Sequence, residues 1–205
     1  MGRRNQVFGN CLKILFIPLF IVSCVSISEL NVSYRLPPSS DVFKGAKIGL
    51  KIEDGRSTKE ILGEGAKKEI HDFSGNLSFS VARHSEPEFK VGIYKLGPMM
   101  KEAFKRRLRN EGLKVSFKED FEIPRLLIVL KEFLLDRSGQ KWFVRIEYEA
   151  RLMKEGKLLS SQGIHGGGER YGLIGTGPAE TVLGEIFTDA VNKLDINELF
   201  RQAGL

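Results

Sequence analysis

One stretch of the chain decides its fold class: WFVRIEYEARL, residues 142–152. Its apolar residues alternate with charged ones, which is typical of a β-strand with one buried face and one face in water. Glu155-Gly156 then forms a turn signal. Together with the apolar run at 126–135 and the alternating segment at 158–164, this stretch predicts a three-strand antiparallel meander.

Two segments repeat their apolar residues at three-four spacing and predict amphipathic helices, at 98–110 and 178–194. Gly112 ends the first, and Pro178 suits the first turn of the second. Apolar stripes on both helices must be buried against the apolar face of the sheet. The fold class is therefore predicted as α+β: a mixed, mainly antiparallel sheet with two amphipathic helices packed on one face, in two layers.

Weaker patterns fill the remaining chain. The alternating residues 46–53 predict a strand, and two short strands are predicted to flank residues 84–87. Residues 55–76 are polar and glycine-rich and indicate a loop. The segment 163–177 contains seven glycines and is predicted to connect sheet and helix, either as a mobile loop that a partner could order or as a loop packed over the sheet edge.

The N-terminus has the three parts of an export signal. Residues 1–23 contain Arg3, Arg4 and Lys13 and no acidic residue, and an apolar run covers 14–22. That run is too short for a transmembrane helix, which needs about 20 apolar residues. Residues 1–23 are therefore predicted to be a signal peptide, and the residues at its end indicate a lipoprotein signal peptide.

The end of the apolar run, Ile21-Val22-Ser23-Cys24, resembles the bacterial lipobox. The resemblance implies that Cys24 becomes a diacylglyceryl thioether and the N-terminus of the mature chain. Several acyl chains hold a protein on a membrane essentially permanently. We then expect residues 24–44, which are rich in serine and proline, to form a lipidated tether, and residues 45–205 to form a single α+β domain.

Composition and motifs argue against several functions. Removing residues 1–23 lowers the formal net charge from +6 to +3, so nucleic acid is not an expected partner. The three histidines lack metal-ligand spacing, and neither a Walker loop nor a Gly-x-Ser-x-Gly elbow is present. We therefore expect no metal, no cofactor, no catalytic residues and no enzyme activity, although a Ser-His-Asp set assembled by folding stays open.

A cluster of basic residues on the first helix is the charge feature that points to a function. It contains Lys101, Lys105, Arg106 and Arg109. Such a cluster is commonly the solvated face of an amphipathic helix. The alternative is contact with anionic lipid headgroups or an acidic protein partner, which the anchor would hold within reach. Arg170 and Tyr171 in the glycine-rich segment are further candidates for such contacts.

The lipobox is followed along the chain by a strand end at Glu53-Asp54-Gly55-Arg56, the element Ile61-Leu62-Gly63, and the helix end at Leu108–Val115. Short motifs in this order resemble the YajG-like family of bacterial lipoproteins. The resemblance covers roughly residues 24–200. It implies a periplasm-facing, lipid-anchored α+β domain without a known catalytic site, and it assigns a role to Cys24 alone.

These observations predict a non-enzymatic, lipid-anchored envelope lipoprotein with a partner-binding or accessory role. Lipoproteins retained in the inner membrane of enteric-type bacteria often have Asp after the lipidated cysteine, so the resemblance implies with Val25 a place at the outer membrane, facing the periplasm, with the inner membrane as the alternative. The membrane is contacted through the N-terminal anchor, and an envelope protein of unknown identity is the expected partner. Two other functions stay open: a lipid or lipopolysaccharide transport or assembly subunit, and a secretion-pore subunit.

Overall fold

The structure, a computed structural model, describes residues 28–83, 86–118, 120–172 and 176–205. Within these ranges the elements are β1 (Ser28–Arg35), β2 (Lys47–Asp54), α1 (Glu64–Lys67), β3 (Phe73–Ala82), β4 (Phe89–Tyr94), α2 (Leu96–Asn110), β5 (Lys114–Ser116), β6 (Arg125–Ser138), β7 (Lys141–Lys154), β8 (Lys157–Tyr171), α3 (Gly177–Asn192) and α4 (Ile196–Gln202). The predicted signal peptide and Cys24 lie outside the described residues.

The strands form two sheets rather than one. The larger sheet has the order β5-β2-β6-β7-β8, and the smaller has the order β1-β3-β4. In the larger sheet, β6, β7 and β8 are antiparallel neighbours, so the predicted meander is confirmed. Parallel pairing occurs between β2 and both β5 and β6, and between β1 and β3. The predicted class, α+β with mixed and mainly antiparallel pairing, is confirmed.

Both long helices pack on the same face of the larger sheet, as contacts of Tyr148 on β7 show. Its ring lies 5.3 Å from that of Phe104 on α2, and its hydroxyl donates to the carbonyl of Ala190 on α3 at 2.8 Å. Phe187 of α3 contacts Phe79 of the smaller sheet and Phe133 of the larger one. One continuous core therefore joins both sheets through α3.

The prediction that residues 24–44 form a tether is wrong from Ser28 onward. Residues 28–35 are strand β1, and Leu30, Val32 and Tyr34 are buried in the core. The following segment is also packed, since the ring of Phe43 lies 4.6 Å from that of Phe200. The apolar side chains at alternating positions of β1 are buried although serines and prolines are frequent in this part of the chain. The folded domain therefore begins close to Cys24.

The free edge of β1 is covered by α3. The backbone N–H of Asn31 donates to the Glu180 carboxylate at 2.8 Å, and the Asn192 amide donates to the carbonyl of Arg35 at 3.0 Å. Between them Gly184 lets the helix approach, because a Cβ there would lie 3.1 Å from the carbonyl oxygen of Ser33. These α3 residues are spaced in multiples of four and share one helix face. Side chains of α3 thus form hydrogen bonds with backbone groups of β1, whose edge would otherwise be open to pairing with another strand.

From Gly163 to Tyr171 the glycine-rich segment is a strand and not a mobile connection. Gly163 to Gly168 belong to β8, which pairs with β7 along its length. The reason is close packing: a Cβ at Gly166 would lie 3.0 Å from the Cβ of Ala190, and one at Gly168 would lie 2.5 Å from a terminal carbon of Ile186. Glycine therefore lets α3 lie directly on this strand. Residues 173–175 of the predicted segment lie outside the described residues.

This packing predicts different effects for two adjacent glycines. Gly166→Val should lower the free energy of unfolding by about 1–3 kcal/mol, because it forces a side chain against α3. Gly167→Val should leave stability equal or higher, since a Cβ there meets its nearest atom, the carbonyl oxygen of Val144, at an ordinary 3.7 Å. Chemical denaturation of both variants measures the difference. Equal destabilisation by the two valines would contradict this account of β8.

Candidate functional site

The four basic residues predicted on the first helix lie on the outward side of α2. Lys101 and Arg109 are exposed, and Lys105 and Arg106 are partly buried. The opposite side of the helix packs into the core through Met99, Met100, Ala103, Phe104 and Leu108. We call Lys101, Lys105, Arg106 and Arg109 the α2 basic face.

The α2 basic face is partly neutralised by one carboxylate. Glu102 accepts from Lys105 at 2.7 Å and from Arg106 at 2.8 Å. Lys101 instead lies over the ring of Phe117, with its Nζ 4.2 Å from the ring centre. Arg109 has no ion pair with a described residue. Lys101 and Arg109 therefore keep their positive charge available to a ligand.

A cleft of about 680 Å³ lies between the first half of α2 and strands β2 and β5. Its charged lining has five cations and two carboxylates: Lys51, Lys101, Lys105, Lys118 and Arg125 against Asp54 and Glu102. Phe117, 46% exposed, adds an apolar surface beside Lys101. The cleft therefore favours an anionic group that also presents apolar surface.

A second cleft, of about 480 Å³, lies along the other half of α2. Arg83, Arg106 and Arg109 line it together with Asp41 and Glu86. Lys105 and Glu102 line both clefts, so the two meet along the helix. The α2 basic face is therefore a continuous surface with a depression at each end.

Arg107 lies on the same helix but is not part of this surface. It is 8% exposed and forms an ion pair with Glu111, which is 7% exposed, one helical turn further on. Its Nε has no hydrogen-bond partner among the described residues. Nearby, burial raises the pKa of Tyr34, whose hydroxyl donates to Asn192 at 2.9 Å. Arg107 therefore belongs to the interior.

The strand end at Asp54-Gly55-Arg56, a motif with Asp and Arg two residues apart, also has a structural explanation. Arg56 is 7% exposed, and its guanidinium donates to both carboxylate oxygens of Asp54 at 2.9 and 3.0 Å. It also donates to the carbonyls of Lys59 and Glu60 at 3.2 Å each. The side-chain hydrogen bond from Arg56 lowers the pKa of Asp54 to about 2. The motif thus fixes the loop that follows β2.

Arg170 and Tyr171 are not brought to the α2 basic face. They end β8, which is the edge strand opposite β5, whereas α2 packs on β2 and β5. Arg170 pairs with Glu185 of α3 at 2.6 Å, and Lys141 lies 4.8 Å from the centre of the Tyr171 ring. The predicted contact residues therefore fall into two separate groups.

Within the described ranges no group of three or more His, Cys, Asp or Glu side chains could hold a metal ion. His165 lies 3.5 Å from a carboxylate oxygen of Glu147, and His71 lines an 840 Å³ cleft beside α1. His84 lies outside the described residues. No helix in the described part of the chain combines the length and apolar character needed to cross a bilayer.

The fold is similar to that of a solved bacterial protein. The crystal structure of a Xanthomonas campestris protein of the family DUF330 matches with a TM-score of 0.51. The match covers 86% of this chain and 96% of that chain, with 14% sequence identity. At this identity the likeness shows a shared fold.

Two other crystal structures match less well. A putative neuraminyllactose-binding hemagglutinin homolog from Helicobacter pylori has a TM-score of 0.38, 9% identity, and coverage of 80% of this chain and 94% of its own. A minor lipoprotein from Acinetobacter baumannii has a TM-score of 0.37, 8% identity, and coverage of 77% and 90%. Likenesses at this level carry no argument about function. No protein-family model and no curated protein sequence matches the chain.

The structure adds residues to the site that sequence reasoning missed. Phe117 and Lys118 follow β5 and line the first cleft, and Phe89 of β4 lies under Arg106 with the guanidinium carbon 5.5 Å from the ring centre. In the sequence, Phe117 continues the alternation of Leu113 and Val115, which predicts a strand with these three side chains on one face. Because β5 ends at Ser116, its side chain instead lies at the surface.

Proposed function

We propose that this protein is a non-enzymatic lipoprotein of the bacterial envelope that binds a protein partner through the α2 basic face. The observation that carries the proposal is the first cleft, whose lining has five cations against two carboxylates and includes the exposed ring of Phe117. Charge complementarity of this kind gives specificity and speeds association with an acidic partner. The partner we expect is another envelope protein that presents an acidic segment. The role of the present protein toward that partner would be an accessory one.

The anchoring part of the proposal rests on the sequence. Cys24 ends a lipobox-like motif, and the resemblance to YajG-like lipoproteins is consistent with a periplasm-facing domain. Val25 favours the outer membrane over the inner membrane. The α+β fold, shared with the DUF330 protein, is compatible with this role.

Crosslinking in intact cells tests the partner surface. With a photo-reactive amino acid at Lys101, we expect one discrete adduct, which Lys105→Glu together with Arg109→Glu reduces at least tenfold because the cationic surface is lost. The same probe at Lys157, which is exposed at the β7–β8 turn, serves as the control and should not form that adduct. An adduct that survives charge reversal would contradict a role for the α2 basic face.

The identity of the adduct distinguishes the remaining functions. A lipid or lipopolysaccharide transport component would indicate an assembly subunit, and ring-shaped oligomers after detergent extraction would indicate a secretion-pore subunit. Either result would replace the accessory role.

Replacing Cys24 with serine should abolish lipidation. We expect no incorporation of labelled palmitate and a larger, uncleaved precursor, because the thiol is the acceptor of the diacylglyceryl group. Cys11→Ser is the matched control and should be labelled and processed normally, since Cys11 lies inside the predicted signal peptide. Density-gradient separation of labelled membranes then reports which membrane holds the protein. Palmitate in the Cys24→Ser protein would disprove the lipobox assignment.

A further inference from the structure

The link between the lipid anchor and the folded domain is short, and this restricts how the domain can lie on a membrane. This inference rests on the proposed lipidation of Cys24. Strand β1 begins at Ser28, so four peptide links, through residues 25–27, join the lipidated position to the first strand. Whatever conformation they take, they span at most about 14 Å. The start of β1 must therefore lie within that distance of the lipid surface.

The start of β1 lies at the end of the domain where α3 begins. β1 and α3 run in the same direction, because Asn31 bonds to Glu180 early in both elements and Arg35 bonds to Asn192 near the end of both. Going back from Asn31 to Ser28 therefore leads toward the N-terminus of α3.

The β6–β7 turn and the end of β8 lie at this same end. The backbone N–H of Gly172 donates to the carbonyl of Gln140 in the turn at 2.9 Å. Gly172 also packs on the first turn of α3, since a Cβ there would lie 2.5 Å from the Cβ of Pro178. We call this part of the surface the anchor end: the starts of β1 and α3, the β6–β7 turn at 138–140, and the end of β8.

The anchor end presents an aromatic ring suited to a membrane interface. Tyr171 is 68% exposed, and Lys141 lies beside its ring. Tyrosine and lysine both have an apolar body and a polar tip, which suits them to the boundary between headgroups and acyl chains. The nearby cations are already paired, Lys141 with Glu169 at 2.7 Å and Arg170 with Glu185 at 2.6 Å. Contact with lipid at this end therefore does not depend on anionic headgroups.

The second half of α2 lies at the opposite end of the domain. Asn110, its last residue, donates to the carbonyls of Pro37 and Pro38 at 3.1 Å, and these residues come after the end of β1. The β7–β8 turn at Glu155-Gly156 is likewise separated from the anchor end by the length of β7. Fourteen residues of strand span roughly 45 Å.

We propose that the anchor end rests on the lipid surface, with Tyr171 among the headgroups, and that the domain projects away from the membrane. Arg106 and Arg109 then face the aqueous compartment and not the bilayer that holds the anchor. Of the two ligands that the sequence leaves open for the α2 basic face, this orientation favours the acidic protein partner over the headgroups. Tyr171 acquires a role distinct from that of the basic residues on α2.

Fluorescence quenching on vesicles tests the orientation. Gln140→Cys and Glu155→Cys place single thiols at the two ends of β7 in the full-length, lipidated protein, whose predicted mature form has no other free thiol. Each is labelled with a fluorophore and reconstituted in phosphatidylcholine vesicles that contain a headgroup spin label. We expect quenching at position 140 to exceed quenching at 155 at least threefold, and to be unchanged by added phosphatidylglycerol. Equal or reversed quenching would overturn the orientation.

Two controls separate the parts of the inference. Flotation with the vesicles reports the anchor itself, so a protein that does not float would refute the proposed lipidation, whereas a floating protein with equal quenching refutes the orientation alone. Tyr171→Asp should reduce quenching at 140, while Phe121→Asp, at a residue of the same 68% exposure beside the β7–β8 turn, should not. Unchanged quenching in Tyr171→Asp would remove Tyr171 from the contact.

Discussion

Replacing Glu111 with alanine is expected to lower the free energy of unfolding by about 3–5 kcal/mol, because it leaves the buried guanidinium of Arg107 without its partner. Both residues are less than a tenth exposed, and the Nε of Arg107 already lacks a partner among the described residues. Equilibrium denaturation by urea measures the loss.

A double replacement shows how much of that loss comes from the unpaired charge. Arg107→Met combined with Glu111→Leu removes both charges while keeping similar volumes, so it should recover most of the stability that Glu111→Ala loses. A loss below about 1 kcal/mol in Glu111→Ala would mean that water reaches Arg107 and that the pair is not buried in solution.

Replacing Phe187 with alanine is also expected to have a large effect. It should lower the free energy of unfolding by about 3–5 kcal/mol. Its ring lies 5.9 Å from Tyr34, 6.1 Å from Phe79 and 6.4 Å from Phe133, so it touches β1, β3 and β6 at once. The cavity left by the ring would lie where the two sheets and α3 meet and could not easily collapse.

Phe121→Ala is the matched control for this substitution. Phe121 is 68% exposed, so its truncation should change the free energy of unfolding by no more than about 0.5 kcal/mol. Thermal or urea denaturation of both variants gives the comparison. Similar losses at 187 and 121 would contradict the central place of Phe187 in the core.

The sequence predicted the parts of the fold in which burial follows the period of the element. Residues 142–152 alternate because β7 has one buried face, and the apolar spacing of α2 and α3 follows the face that packs on the sheet. The alternation of Leu30, Val32 and Tyr34 in β1 was an equally clear signal. It was missed because neighbouring serines and prolines indicate a tether more readily than a core strand.

The glycines of β8 show what local sequence does not contain. Gly166 is in the strand because α3, some twenty residues further along the chain, lies against its backbone. Composition alone makes such a glycine look like part of a loop. The same limit applies to the site: the basic residues of α2 were predicted from the sequence, but only the fold brings the ring of Phe117, from the segment after β5, to Lys101.

The covering of β1 by α3 has a consequence for the order of folding. The hydrogen bonds from Asn31 to Glu180 and from Tyr34 to Asn192 join residues 149 and 158 positions apart. The edge of β1 that does not pair with β3 is therefore covered only when α3 has formed, and contacts of such long sequence separation form slowly. For a chain exported as we propose, this edge stays uncovered until the C-terminal helix has been made, so the domain cannot close completely before nearly the whole chain is available.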